Sequence, residues 1–181
     1  MQGIIVENIS NLYKIECNGN IYNASARGKI KNTEISPVVG DRVRLQILNN
    51  ELGLNEEAKE AVIEEILERK NYIKRPKLAN ITKLILVVSS KEPKPDLLML
   101  DKQLAFAEFL KIKVLIVVNK IDLDKFKKFE EIKTIYQNIG YDVIITDDKT
   151  GIGIAELKEK LKNEVNAFSG NSGVRKIIIN K

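Results

Sequence analysis

Two uninterrupted aliphatic runs, Leu84–Val88 and Val114–Val118, constrain this chain most. Runs of that length with no polar face belong to strands buried on both sides, the usual situation in a parallel sheet. Parallel neighbours need a crossover, and the segment between the runs supplies one. Asp96 can cap a helix there, with Leu97, Leu100, Leu104 and Ala107 forming its apolar stripe. The rhythm continues with a helix near Phe126–Ile139 ending at Gly140, then a strand over Tyr141–Thr146. A further helix, roughly Ile154–Asn163, precedes a short apolar segment at Val165–Phe168. This alternation predicts a doubly wound α/β domain.

The first seventy residues follow a different period. Gly3–Glu7, Leu12–Cys17 and Ile21–Ala26 are rich in β-branched and aromatic residues and are separated by breaks such as Asn18-Gly19-Asn20. In Asp41–Leu48, Val43, Leu45 and Ile47 alternate with Arg42, Arg44 and Gln46, so a strand there turns both arginines to one face. Ala61–Glu68 fits a helix by the spacing of Val62, Ile63, Ile66 and Leu67, and a closing fifth strand by its position. Five short strands in this span suit a small barrel of the oligonucleotide-binding (OB) type; a small barrel with no nucleic-acid role fits equally. The expected organisation is an OB-like RNA-binding domain over residues 1–70 and an α/β domain over 71–181. The junction lies near Arg69–Ala79, around Pro76 in a basic stretch.

Composition narrows the function classes. Cys17 is the single cysteine and there is no histidine, which excludes an intrachain disulfide and any Cys/His zinc site within these 181 residues. No apolar run approaches the roughly 20 residues that span a bilayer. The N-terminus lacks the pattern of a signal peptide. A cytoplasmic protein that does not engage membranes is expected. The net charge of +5 is unevenly placed: residues 1–70 carry 9 Lys/Arg and 11 Asp/Glu, whereas residues 71–181 carry 21 and 14. Such a distribution permits a nucleic-acid partner and equally suits a solvated, lysine-rich surface.

The sharpest chemical signal is Val117-Val118-Asn119-Lys120-Ile121-Asp122, at the C-terminal end of a buried strand, where open α/β sheets bind ligands. A carboxylate at Asp122 can accept two hydrogen bonds from N1 and the exocyclic N2 of guanine, a pair that adenine does not offer. A site built for such bonds rejects the wrong base by roughly 10⁴-fold or more. Asn119 can tie neighbouring loops together and face the O6/N7 edge, while the Lys120 stem can lie over the base.

A second signal is Gly170-Asn171-Ser172-Gly173-Val174-Arg175-Lys176-Ile177. A phosphate loop reads G-x-x-x-x-G-K-[ST]: glycines admit backbone N–H groups to the phosphates, lysine meets the β/γ charge and a hydroxyl binds Mg²⁺. Gly170, Gly173 and Lys176 are in register, but Arg175 replaces the second glycine and Ile177 replaces the hydroxyl residue. Between the two signals, Lys149-Thr150-Gly151-Ile152-Gly153 opens a helix after the strand ending at Thr146. Guanine sites often carry a Ser-Ala-Lys-Thr-Gly loop here, and Asp147 and Asp148 stand where the Ser-Ala pair would be.

The guanine motif precedes the phosphate loop by about fifty residues, the reverse of the ordinary order. That inversion behind a small N-terminal barrel resembles the ribosome small-subunit-dependent GTPase family (RsgA, also called YjeQ), whose GTPase domain is circularly permuted. Ser36–Val43, Glu68–Asn80 and Ala167–Val174 match the family as well, and the resemblance covers essentially the whole chain.

The resemblance implies a guanine-nucleotide-binding factor of late 30S maturation whose GTP hydrolysis is stimulated by the 30S subunit. It implies GTP or GDP with Mg²⁺ as ligands, held by Asn119, Lys120, Asp122, Asp147, Asp148, Lys149 and the loop from Gly170 to Ile177. It also implies contact between the barrel and 16S rRNA, with Arg27, Lys29, Lys31, Arg42 and Arg44 as contributors; a solubilising rim is the other reading of those five. A monomer is expected. The family's switch segments, Asp-x-x-Gly motif and zinc domain would lie beyond Lys181. The sequence thus resembles a C-terminally truncated member with an incomplete GTPase domain, expected to be catalytically impaired or inactive, and no catalytic residue or metal ligand is assigned. The alternative is a non-catalytic rRNA-binding protein with weak or no nucleotide binding.

Overall fold

The computed structural model describes residues 1–28, 36–48 and 59–170. The chain divides into two units, Met1–Asn80 and Ile81–Lys181. In the first, β1 (Gln2–Ile9), β2 (Leu12–Cys17), β3 (Asn20–Ala26), β4 (Arg42–Ile47) and β5 (Lys59–Ile66) close a barrel in the order β1-β2-β3-β5-β4. All neighbours are antiparallel except β3 and β5. Ser10-Asn11 and Asn18-Gly19, with positive φ at both residues of each pair, make the tight turns whose twist suits the hairpins β1–β2 and β2–β3.

The period of two in β4 behaves as expected, with Val43 and Leu45 buried and Arg42, Arg44 and Gln46 facing solvent. The ambiguous segment is a strand. Barrel closure decides it, because β5 pairs with both β3 and β4, and Ala61 and Ile63 enter the core. The interior is completed by Ile5, Tyr13, Ile15, Cys17 and Tyr22, so the barrel is a packed core.

The first unit extends to Asn80 because a short hairpin, β6 (Tyr72–Lys74) with β7 (Lys77–Ala79), is fastened to the barrel. The Ala79 N–H donates to the Val39 carbonyl at 2.9 Å and Asn80 Nδ2 donates to the Gly40 carbonyl at 3.0 Å. Gly40 has φ +89°, and a Cβ there would collide with the Ala79 carbonyl oxygen, so glycine is required. Asp41 is fully buried. Its carboxylate accepts from Arg69 Nε at 2.7 Å, from Arg69 Nη2 at 2.8 Å and from the Val38 N–H at 2.8 Å. The Arg69 guanidinium also lies 4.7 Å from the Tyr72 ring centroid. The stretches Ser36–Val43 and Glu68–Asn80, distant in sequence, are therefore two sides of one clasp.

In the second unit, β8 (Lys83–Ser89), β9 (Lys113–Asn119), β10 (Asp142–Thr146) and β11 (Asn166–Gly170) form a parallel sheet in the order β10-β9-β8-β11. The crossovers carry α1 (Leu97–Phe109), α2 (Lys128–Asn138) and α3 (Ile154–Leu161). One face of the sheet, with Ile85, Val87, Leu115, Val117 and Ile144, packs on Leu157 and Leu161 of α3. The alternate residues Leu84, Leu86, Val88, Ile116 and Val118 are buried on the other face, and both runs are covered on two sides as their composition requires.

Asp96 caps α1 by accepting from the Met99 N–H at 2.9 Å, and Leu100, Leu104 and Ala107 are its buried stripe. α2 starts at Lys128, later than Phe126, because Lys127 is left-handed and Asp124 Oδ2 accepts from the Phe129 N–H. Phe126 is left exposed.

Candidate nucleotide site

The register of the parallel sheet brings the chemistry-bearing residues to one edge. Ser89 lies opposite Asn119 and Asn119 opposite Thr146, while Gly170 lies beside Val87. The guanine-motif residues, the Asp147–Gly153 loop and the start of the glycine-rich loop therefore issue from the C-terminal ends of adjacent strands, where ligands of open α/β sheets bind.

Asn119 is fully buried, and its Oδ1 accepts a hydrogen bond from Thr146 Oγ1 at 3.0 Å. The side chain thus ties the loop after β9 to the loop after β10. The Asn119 carbonyl accepts from the Ser90 N–H at 2.8 Å and the Lys120 carbonyl from Ser90 Oγ at 2.6 Å, which adds the end of β8 to the same frame. Lys120 takes a left-handed conformation with φ +64°, turning the chain sharply into a 3-10 turn over Ile121–Leu123 that carries Asp122. Lys120 Nζ donates to the Glu92 carbonyl at 2.7 Å. Asp122 lies at the surface, and Lys149 Nζ contacts its Oδ2 at 2.6 Å.

The loop after β10 is built around Asp147, which is buried. Its Oδ1 accepts from the Lys149 N–H at 3.0 Å and its Oδ2 from Thr150 Oγ1 at 2.7 Å. The Thr150 hydroxyl, seconded by the backbone N–H groups of Lys149 and Thr150 and by the Lys149 charge, holds the Asp147 carboxyl below the usual carboxylate range; burial opposes this. Asp147 thus serves its own loop, a structural use that sequence alone did not reveal. Gly153, with φ +73°, sits where a Cβ would collide with the Ile145 carbonyl.

Sequence reasoning missed Ser89, Ser90, Thr146 and Thr150. The polar Ser-Ser pair directly after the Leu84–Val88 run was the available signal for the first two, since buried hydroxyls at a strand end need partners. Gly170 is the last described residue of its loop, and Asn171–Ile177 lie outside the described residues, as do Lys29 and Lys31. In the barrel, Arg27 is ion-paired to Glu64 at 3.3 Å and also donates to Gln46, and Arg44 is paired to Glu65 at 2.9 Å. Arg42 has no ion pair among the described residues and is exposed.

Comparison with known proteins decides the family. The profile of the RsgA GTPase family matches residues 66–181, and that of the RsgA N-terminal domain matches residues 2–54. The chain belongs to the RsgA GTPase family. Among RsgA relatives, the small ribosomal subunit biogenesis GTPase RsgA of Caldanaerobacter subterraneus is 37% identical, over 97% of this chain and 57% of the relative. The protein of the same name from Clostridium acetobutylicum is 38% identical, over 97% and 58%. Among solved RsgA-type structures, YjeQ from Thermotoga maritima has a TM-score of 0.79 and 33% identity, covering 96% of this chain and 61% of that one. YloQ, a circularly permuted GTPase, gives 0.78 and 29%, covering 96% and 60%. The chain therefore spans less than two thirds of the length of these RsgA proteins. The OB-like barrel followed by an α/β domain is the arrangement this chain shares with the YjeQ and YloQ structures.

Proposed function

We propose that this chain binds guanine nucleotides at the strand ends of its second unit and contacts small-subunit rRNA through its first, as a cytoplasmic factor in 30S biogenesis. The observation that carries the nucleotide half is the placement of Asp122: a residue at the surface whose side chain is 21% exposed, on a turn anchored by the buried Asn119–Thr146 hydrogen bond. That geometry fits guanine. The acceptor pair can meet the N1 and N2 donors while Asn119 holds both flanking loops at fixed spacing. The names of the relatives support the ribosomal half.

The fit is poorer at the phosphate end. Ile177 stands at the Mg²⁺-binding position and offers no oxygen, and Arg175 places a side chain where the loop needs close backbone approach. Nucleotide binding without efficient hydrolysis is the reading these two substitutions support, and no step is assigned to Mg²⁺. Displacement of a fluorescent GDP analogue by unlabelled GDP and ADP tests the assignment. GDP is expected to compete at far lower concentration; equal competition would remove guanine recognition from the account.

A further inference from the structure

The cations of the first unit are not equivalent. Arg27 and Arg44 face Glu64 and Glu65, Lys14 is paired to Glu7 at 2.5 Å, and Arg69 is consumed by the buried Asp41. The β4–β5 face is therefore close to balanced, and the glutamates of β5 would repel a phosphate backbone. The β6–β7 hairpin is the opposite case. Lys74 and Lys77 stand directly across from each other in its register, with Arg75 in the turn between them, and all three are exposed. Among the described residues none of the three has a carboxylate partner.

Like charges directly opposite in an antiparallel pair are destabilising. This hairpin is only three residues per strand, so it cannot hold that arrangement by its own pairing. It is held instead by the clasp beneath it: Arg69 on Asp41, Asn80 on Gly40, Ala79 on Val39, with Ile73 and Ala79 buried. A local conflict kept in place by a buried, fully bonded support is where a function is expected. Lys77 also lines a groove of about 290 Å³ together with Asn8, Asn11 and Ser36 and the apolar Pro37, Val38 and Val39, and among the described residues no carboxylate takes part in the lining. One cation of the hairpin, Lys77, thus adjoins neutral hydrogen-bonding groups, a surface that can follow a polyanion.

From this we infer that Lys74, Arg75 and Lys77, presented on the clasped hairpin beside this groove, form the principal RNA-phosphate contact of the first unit. The ion-paired Arg27 and Arg44 are secondary. The inference rests on the reading that the first unit engages small-subunit rRNA. Holding the three cations rigid before contact lowers the ordering cost of binding. Each phosphate they neutralise adds to the salt dependence.

The test uses the full chain and naked small-subunit rRNA, with affinity measured by fluorescence anisotropy across a salt series. Lys74→Ala, Arg75→Ala and Lys77→Ala together should weaken binding more than tenfold near 100 mM salt and flatten the log–log salt slope by about 0.7–0.9 per lost contact. A control removes the same charge elsewhere, at the exposed Lys125, Lys127 and Lys128, and should change affinity less than threefold. The substituted side chains carry no described ion pair, and the hairpin variant also relieves the Lys74–Lys77 repulsion, so neither variant should unfold at a lower temperature than the parent. Equal losses in hairpin and control variants, or no loss in the hairpin variant while the parent chain binds, would overturn the inference. A loss seen with whole subunits but not with naked rRNA would assign the hairpin to a protein contact and overturn it too. Failure of the parent chain to bind rRNA at all would instead bring down the underlying reading, and this inference with it.

Discussion

Lys149 Nζ lies 2.6 Å from Asp122 Oδ2, so the carboxylate proposed to read guanine is engaged by a cation from the loop after β10. The Lys149 side chain is 55% exposed and that of Asp122 21%, and an ion pair partly open to water is worth about 1 kcal/mol. It is weak enough to give way to the two N–H donors of guanine. Lys149→Met should therefore change GDP affinity by less than about fivefold, by the tenfold-per-1.4 kcal/mol relation. It should leave the preference for GDP over ADP intact. Competition titration reads both quantities, and loss of the preference would move the specificity away from Asp122.

The Asn119–Thr146 hydrogen bond is a second point of leverage. Thr146→Val keeps shape and burial but removes the donor to Asn119 Oδ1. Losing one partner of a buried hydrogen bond costs about 1–3 kcal/mol. Chemical denaturation followed in the second unit should show a loss of that size, with GDP binding weakened and base preference unchanged. A variant as stable as the parent would mean that the two loops are tied by other contacts.

Asp147 makes the second unit sensitive to acid. Its carboxyl titrates below the ordinary aspartate value of 3.8, chiefly through the Thr150 hydroxyl. A depressed carboxylate contributes stability that is present in full above its unfolded value and lost as pH falls through the folded one. Thr150→Val should therefore be less stable than the parent at neutral pH, with the gap narrowing progressively below about pH 4. Thermal unfolding at a series of pH values measures this. A gap that stays constant down to acid conditions would assign the role of Thr150 to something other than the Asp147 charge.

The clasp in the first unit predicts the largest stability effect. Asp41 is buried, and Arg69 supplies two of its hydrogen bonds. Arg69→Met would leave a buried carboxylate without its cation, at a cost of about 3–5 kcal/mol. Equilibrium unfolding in urea should show that loss, and a change below about 1 kcal/mol would indicate that water replaces the guanidinium freely.

The parts of this molecule legible in the sequence are those set by local pattern. Leu84–Val88 and Val114–Val118 could only be doubly covered strands, and Val43/Leu45 against Arg42/Arg44 fixed one barrel face. Segments decided by tertiary contacts were not legible. Ala61–Glu68 carries helical spacing, and only its pairing with both β3 and β4 makes it a strand. The site divides the same way. Asn119 and Asp122 announce themselves because a polar pair ends an aliphatic run. The Thr146 tie, the Thr150 bond to Asp147 and the Asp41–Arg69 clasp join residues whose proximity exists only in the folded chain. Arg27 and Arg44, which the family resemblance offered as rRNA contacts or a solubilising rim, are paired with glutamates of β5.

Base recognition in this site rests on Asp122. Asp122→Asn replaces an acceptor with an amide donor, which suits the C2 carbonyl of xanthine and no longer suits the exocyclic amine of guanine. The decisive measurement is the affinity of parent and variant for GDP and XDP, taken side by side by calorimetric titration. The parent should prefer GDP and the variant XDP, each by tenfold or more, a difference of at least about 1.4 kcal/mol in each direction. An unchanged ratio of GDP to XDP affinity in the variant would contradict it.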